Sequence, residues 1–174
     1  MKLIEILKDL IFEVKSKGQY DVKSLSDENL LETYLLLGEL LNPNNAYPYE
    51  SYHGIHHFKD LSGITFCARL VYQPTAEPFW EFKTWWVNEQ GKATYHYLPD
   101  QSTAVDWDKR SDTVAKIFRD EVIPLFKSQN SSNVMKILPL DSKRYQFSLR
   151  MVKKFIPSEW KIEEQFPKAI RIIK

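Results

Sequence analysis

The sequence predicts an α+β fold in which an antiparallel meander or hairpin sheet, over about residues 61–98, packs against N-terminal and C-terminal helices. Three observations carry this. Apolar residues recur at the helical period near the N-terminus and again after residue 113. Between these stretches the period drops to two. No strand–helix–strand alternation appears, so a doubly wound parallel sheet is not expected. With 174 residues, one domain spanning 1–174 can bury an adequate core.

The elements follow in order. Leu3, Ile4, Leu7, Leu10, Ile11 and Val14 form a helical stripe that Gly18 stops. Ser26 caps a second helix, whose leucines run from Leu30 to Leu41 and cover more than one face. Asn42 and Pro43 end it, and residues 42–60 read as a long loop. Ile64, Phe66, Ala68, Leu70 and Tyr72 alternate as in a strand. Pro74 and Pro78 bracket a turn. Phe79 to Val87 is dense in strand-favouring residues, and Ala93 to Leu98 is its return arm across the turn at Gly91. Along the first arm, Trp80, Phe82, Thr84 and Trp86 share one face, and Phe79, Glu81, Lys83, Trp85 and Val87 share the other.

After Pro99 a polar loop is expected, with Ser111 capping a third helix that Pro124 kinks or ends near Ile123. Val134 to Leu138 is a short apolar piece. Asp141 to Ile156 fits either period. A helix is preferred because Asp141 or Ser142 can cap it and Lys153 and Lys154 suit its last turn. Ala169 to Ile173 reads as an edge strand.

Several functions are excluded or disfavoured. The longest stretch without Asp, Glu, Lys or Arg lies between Glu39 and Glu50, too short to span a bilayer. Glu5, Lys8 and Asp9 break any secretory apolar core. Cys67 is the one cysteine, so no intrachain disulfide forms, and a cytoplasmic location is expected. No glycine-rich phosphate loop and no nucleophile elbow is present.

Three features remain. His53, His56 and His57, with His96 on the return arm, are candidate ligands for a divalent metal, because neutral imidazole is a common metal donor. No cofactor other than such a metal is expected. Residues 143–174 carry nine basic and three acidic side chains, against 15 and 20 in the rest of the chain. That basic end, interleaved with aromatics, is a candidate nucleic-acid contact. Asp100, Asp106, Asp108 and Asp112 read as a solvated acidic loop in preference to a hard-cation site for Mg²⁺ or Mn²⁺.

The last feature is the aromatic hairpin. Trp80, Trp85, Trp86, Tyr95 and Tyr97 are residue types enriched at binding hot spots. The leading expectation is therefore a non-enzymatic module that binds a protein partner or a second copy through an aromatic sheet face. The alternative is a small metal-dependent enzyme or ligand binder using the histidines. Nucleic-acid binding through the basic end ranks third, and no membrane contact is expected. The layout is loosely similar to small bacterial α+β proteins that bind and inhibit a partner, such as toxin-immunity proteins, although no motif carries that similarity.

Overall fold

The computed structural model describes residues 41–61, 63–87, 90–94 and 104–174, without the side chains of residues 94, 104–108 and 143. The helices expected over 3–17 and 26–41 lie outside these residues, apart from Leu41.

The architecture is α+β, with one mixed sheet. Its strands are β1 (Glu50–Tyr52), β2 (Ile55–Lys59), β3 (Thr65–Gln73), β4 (Phe79–Val87), β5 (Ala93–Thr94), β6 (Val134–Ile137), β7 (Lys161–Gln165) and β8 (Ala169–Ile173). Their order is β1-β2-β3-β4-β6-β8-β7, and β5 pairs with β4 at Trp86 and Val87. A 3₁₀ turn covers Pro43–Asn45, and the helices are α1 (Ala104–Ile117), a π-helical turn (Phe118–Val122), α2 (Ile123–Ser128) and α3 (Ser142–Phe155). Among the described residues no helix is long and apolar enough to cross a membrane.

The sheet departs from the expected antiparallel meander in two ways. β6 joins β4 in parallel, after a crossover through α1 and α2. The chain after α3 then adds a hairpin, and β8 lies between β6 and β7 rather than at an edge. Among the described residues the edge there is β7, whose Lys161, Glu163 and Glu164 give it a charged rim of the kind that discourages further strand pairing.

Residues 42–60 are not simply a loop, because β1 and β2 form a hairpin there. His53 and Gly54 both have positive φ, at 48° and 75°, as a tight two-residue hairpin turn requires. The alternation is real but uses histidine as a core residue: His56 and Phe58 are buried, and Lys59 is exposed. An imidazole at a core position disguises a strand in a hydropathy reading. β3 and β4 pair over nine residues each, from Thr65↔Val87 to Gln73↔Phe79, as the Pro74–Pro78 turn predicts. Of the expected return arm, Ala93 and Thr94 are a strand and 95–98 lie outside the described residues.

Helix α1 begins at Ala104, well before Ser111. Asp112, expected in a solvated loop, is buried within it. Its carboxylate accepts from the Asn42 N–H at 2.9 Å and from Asn45 Nδ2 at 3.3 Å. Thr113 Oγ1 accepts from the Tyr47 N–H at 2.8 Å. Pro124 does not end the helix. The preceding turn widens, so that the Ile123 N–H reaches the Phe118 carbonyl and Pro124 falls in the first turn of α2. Asp141 caps α3 by accepting from the Arg144 N–H at 2.8 Å, as its sequence predicts.

Side chains of one sheet face meet all the described helices. Phe58, Ala68, Leu70, Phe82, Met135 and Ile172 from the strands share a core with Phe118, Phe126, Tyr145 and Val152 from the helices. Burying each large apolar side chain is worth about 1.5–3 kcal/mol. Asp60 ties the sheet to α1. One of its oxygens accepts from the Ile64 N–H at 2.9 Å, closing the β2–β3 turn, and the other accepts from Arg110 Nε at 2.8 Å and lies 2.6 Å from Nη2 as an ion pair.

Candidate functional site

A strand presents alternate residues to opposite faces, so the register assigns every side chain of the sheet. On β4, Trp80, Phe82, Thr84 and Trp86 point to the helix side, opposite Tyr72, Leu70, Ala68 and Phe66. Trp80 packs against the core and lies 5.2 Å from Tyr72 between ring centroids. Trp86 is half-buried opposite Phe66. Trp85 occupies the other face, opposite Cys67, which in turn pairs with His57. The aromatic hairpin is therefore divided between two environments. Tyr95, Tyr97 and His96 lie outside the described residues.

The face turned away from the described helices is rich in charge. Arg69 and Lys83 are directly opposed on β3 and β4. A row running across five strands follows: Val71, Glu81, Lys136, Arg171 and Glu163. The next row is Gln73, Phe79, Val134, Ile173 and Lys161, of which the strand pairing fixes Gln73↔Phe79, Val134↔Ile173 and Ile173↔Lys161. Lys59 and Glu50 complete the charged set of this face.

The carboxylates of the central rows are occupied. Glu81 accepts from Gln73 Nε2 at 2.7 Å and lies 3.4 Å from Lys83 Nζ, with its side chain only 12% exposed. Glu163 is bound by Lys161 at 2.9 Å and by Arg171. Together these cations hold the Glu163 carboxyl below its ordinary range, the Lys161 hydrogen bond being the largest cause. Lys136 lies 4.1 Å from the centroid of the Phe79 ring. Arg69 is exposed and enters no ion pair among the described residues.

A second polar cluster lies on the helix side, beside the π-helical turn. Ser51 Oγ and His56 Nδ1 are 2.7 Å apart, on directly paired residues of β1 and β2. Tyr49 meets the His56 ring edge-on at 6.0 Å, and its hydroxyl donates to Glu121 at 2.7 Å. Burial pushes the His56 imidazole below its ordinary value, and the negative charge of Glu121 opposes that shift in part. Burial, and then the Glu121 carboxylate, raise the Tyr49 phenol. Glu121 interrupts an otherwise apolar helical stripe, and that interruption is the one sequence signal of the cluster.

Among the described candidate ligands, the structure does not bring His53, His56 and His57 together. His56 and His57 are adjacent in β2 and point to opposite faces. His53 sits in the exposed turn, edge-on to Tyr52 at 4.1 Å. His57 Nε2 is 4.0 Å from a Glu50 oxygen. Among the described residues no group of three or more His, Cys, Asp or Glu side chains is placed to hold a metal ion. Cys67 is buried and its thiol is pushed up by that burial.

Much of the basic end is engaged internally. Lys153 pairs with Glu164 at 2.6 Å, and Lys154 Nζ donates to the Leu41 carbonyl at 2.7 Å. Lys174 Nζ donates to the carbonyls of Phe126, at 2.7 Å, and Gln129, closing the C-terminal end of α2. Comparison with family models, with curated proteins and with solved structures found no match.

Proposed function

We propose that this chain is a non-enzymatic binding module, and that the sheet face turned away from α1, α2 and α3 receives a protein partner. The observation that carries the reading is the one-sided placement of those helices. They meet the strands through Phe58, Leu70, Phe82 and Ile172, leaving Trp85, Arg69 and Lys83 on the opposite side. A sheet face that combines an aromatic residue with arginine has the composition of an interface centre. A single domain in the reducing cytoplasm, with Cys67 as a buried apolar filler, belongs to the same reading.

The test is retention of partner proteins from the source cells on the immobilised chain. Wild type and a helix-side variant, Lys127→Glu, are expected to retain the same partner, while Arg69→Glu with Trp85→Ser loses it. Equal retention by all three would exclude this face.

The second reading is a small enzyme. It rests on the 2.7 Å contact between Ser51 Oγ and His56 Nδ1, with Glu121 close enough to influence His56. An activated serine would react with a fluorophosphonate probe, and that labelling would vanish in Ser51→Ala and His56→Gln. Absence of labelling in wild type removes this route.

A further inference from the structure

We infer, resting on the sheet-face reading above, that the partner presents an acidic protein surface, and that the occupant is not a second copy of this chain. The register places six cations and three carboxylates on the face turned away from the described helices, an excess of three positive charges. The whole chain carries a formal charge of only +1. The remainder of the molecule is therefore net negative, and the sheet face concentrates charge of the opposite sign.

Arg69 and Lys83 sharpen this. They are directly opposed cross-strand neighbours, and like charges in that position weaken a sheet. Lys83 leans toward Glu81, while Arg69 stands exposed without an ion-pair partner among the described residues. An anionic group placed over the pair removes the repulsion and satisfies both cations. Glu81 and Glu163 are held by Lys83, Lys161 and Arg171 of the same face and by Gln73, so they reduce its positive charge to the excess of three without abolishing it.

A symmetric dimer through this face would set one cationic surface against an identical one, because a two-fold interface pairs the same patch with itself. Like-charge juxtaposition of that kind opposes association. A uniform polyanion such as a nucleic-acid strand also fits poorly. One cross-strand row reads Glu81, Lys136, Arg171, Glu163, so carboxylates flank the cations. A protein surface rich in Asp and Glu but mixed with apolar and basic side chains matches both that row and the apolar Phe79, Val134 and Ile173 beside it.

The experiment uses the full chain and three labelled probes: an extended peptide alternating Glu with Val and Tyr, the same peptide with Gln for Glu, and oligothymidylate. The acidic peptide is expected to bind at low salt and to weaken as salt rises. Arg69→Glu with Lys83→Glu is expected to weaken it by roughly tenfold, reversing two surface attractions. Lys116→Glu with Lys127→Glu, an equal charge change on the helices, is expected to alter it less than about twofold. Circular dichroism confirms that each variant is folded. The acidic-partner inference is overturned if the Gln peptide binds as tightly as the acidic one, or if the acidic peptide does not bind. It is also overturned if oligothymidylate binds more tightly and loses affinity in the same double variant. That last result leaves the face as a binding surface. Binding that ignores the sheet variant but responds to the helix variant removes the face reading itself. Sedimentation should show no concentration-dependent dimer that Arg69→Glu abolishes, and finding one restores the second copy as occupant.

Discussion

Arg69 on β3 and Lys83 on β4 are directly opposed on the sheet face turned away from the described helices. An antiparallel ladder is normally strengthened by its cross-strand pairs, and this one carries two like charges. Removing Arg69 should therefore stabilise the fold while weakening partner binding. Arg69→Thr keeps strand propensity and leaves the Lys83–Glu81 contact in place. Urea unfolding is expected to show a gain of roughly 0.2–1 kcal/mol. A loss of stability would mean that Arg69 has a structural role.

The Asp60–Arg110 pair should be the most sensitive polar contact. Both side chains are nearly inaccessible, at 0% and 6% exposure, and Arg110 also stacks 4.9 Å from the Phe66 ring centroid. Asp60→Ala leaves a buried guanidinium without its carboxylate and opens the β2–β3 turn. The expected cost is about 3–5 kcal/mol by chemical denaturation. A cost near that of an exposed pair, under about 1 kcal/mol, would show that the guanidinium finds another anion.

His56 should make stability depend on pH. Burial depresses its folded-state pKa below the ordinary 6.5, against a smaller opposing effect of Glu121. The unfolded chain then binds a proton more readily than the folded one. The His56 contribution is complete above pH 6.5 and declines as pH falls below that value toward the depressed folded pKa. His56→Gln should flatten the slope just below 6.5, as followed by thermal unfolding across a pH series. An unchanged slope would assign the pH dependence to other groups.

Lys174 should hold α2 in place. Its ammonium satisfies carbonyls at the helix C-terminal end and lies 4.7 Å from the Phe126 ring centroid. Helix ends favour cations at that position. Lys174→Met is expected to cost about 1–2 kcal/mol and to speed amide exchange near Phe126 to Gln129. Unaltered exchange there would show that the short helix closes without this cap.

Strands β3 and β4 are legible in the sequence because Pro74 and Pro78 centre the turn and each arm alternates cleanly. The same centring implies the Arg69–Lys83 pairing, since the two residues lie symmetrically about the turn. Helix α3 is legible through Asp141 at its N-cap. By contrast, β1 and β2 are hidden because His56 serves as a core residue and His53 adopts positive φ, neither of which composition reveals. The parallel β4–β6 pair and the insertion of β8 between β6 and β7 depend on long-range pairing that local patterns do not encode. The tryptophans stand out in the composition and strand alternation already separates Trp85 from Trp80 and Trp86, but which of the two faces meets the helices follows only from the tertiary packing. The charge of the face is obscured because its cations come from β2, β3, β4, β6, β7 and β8, far apart in the chain.

The most direct measurement is a hydrogen-exchange or NMR footprint of the acidic alternating peptide on the intact chain. Perturbation is expected on β3, β4, β6 and β8, centred on Arg69, Lys83, Lys136 and Arg171, with α1 and α3 unaffected. A footprint on the helices, or none on these strands at saturating peptide, would contradict the assignment of the sheet face as the binding surface.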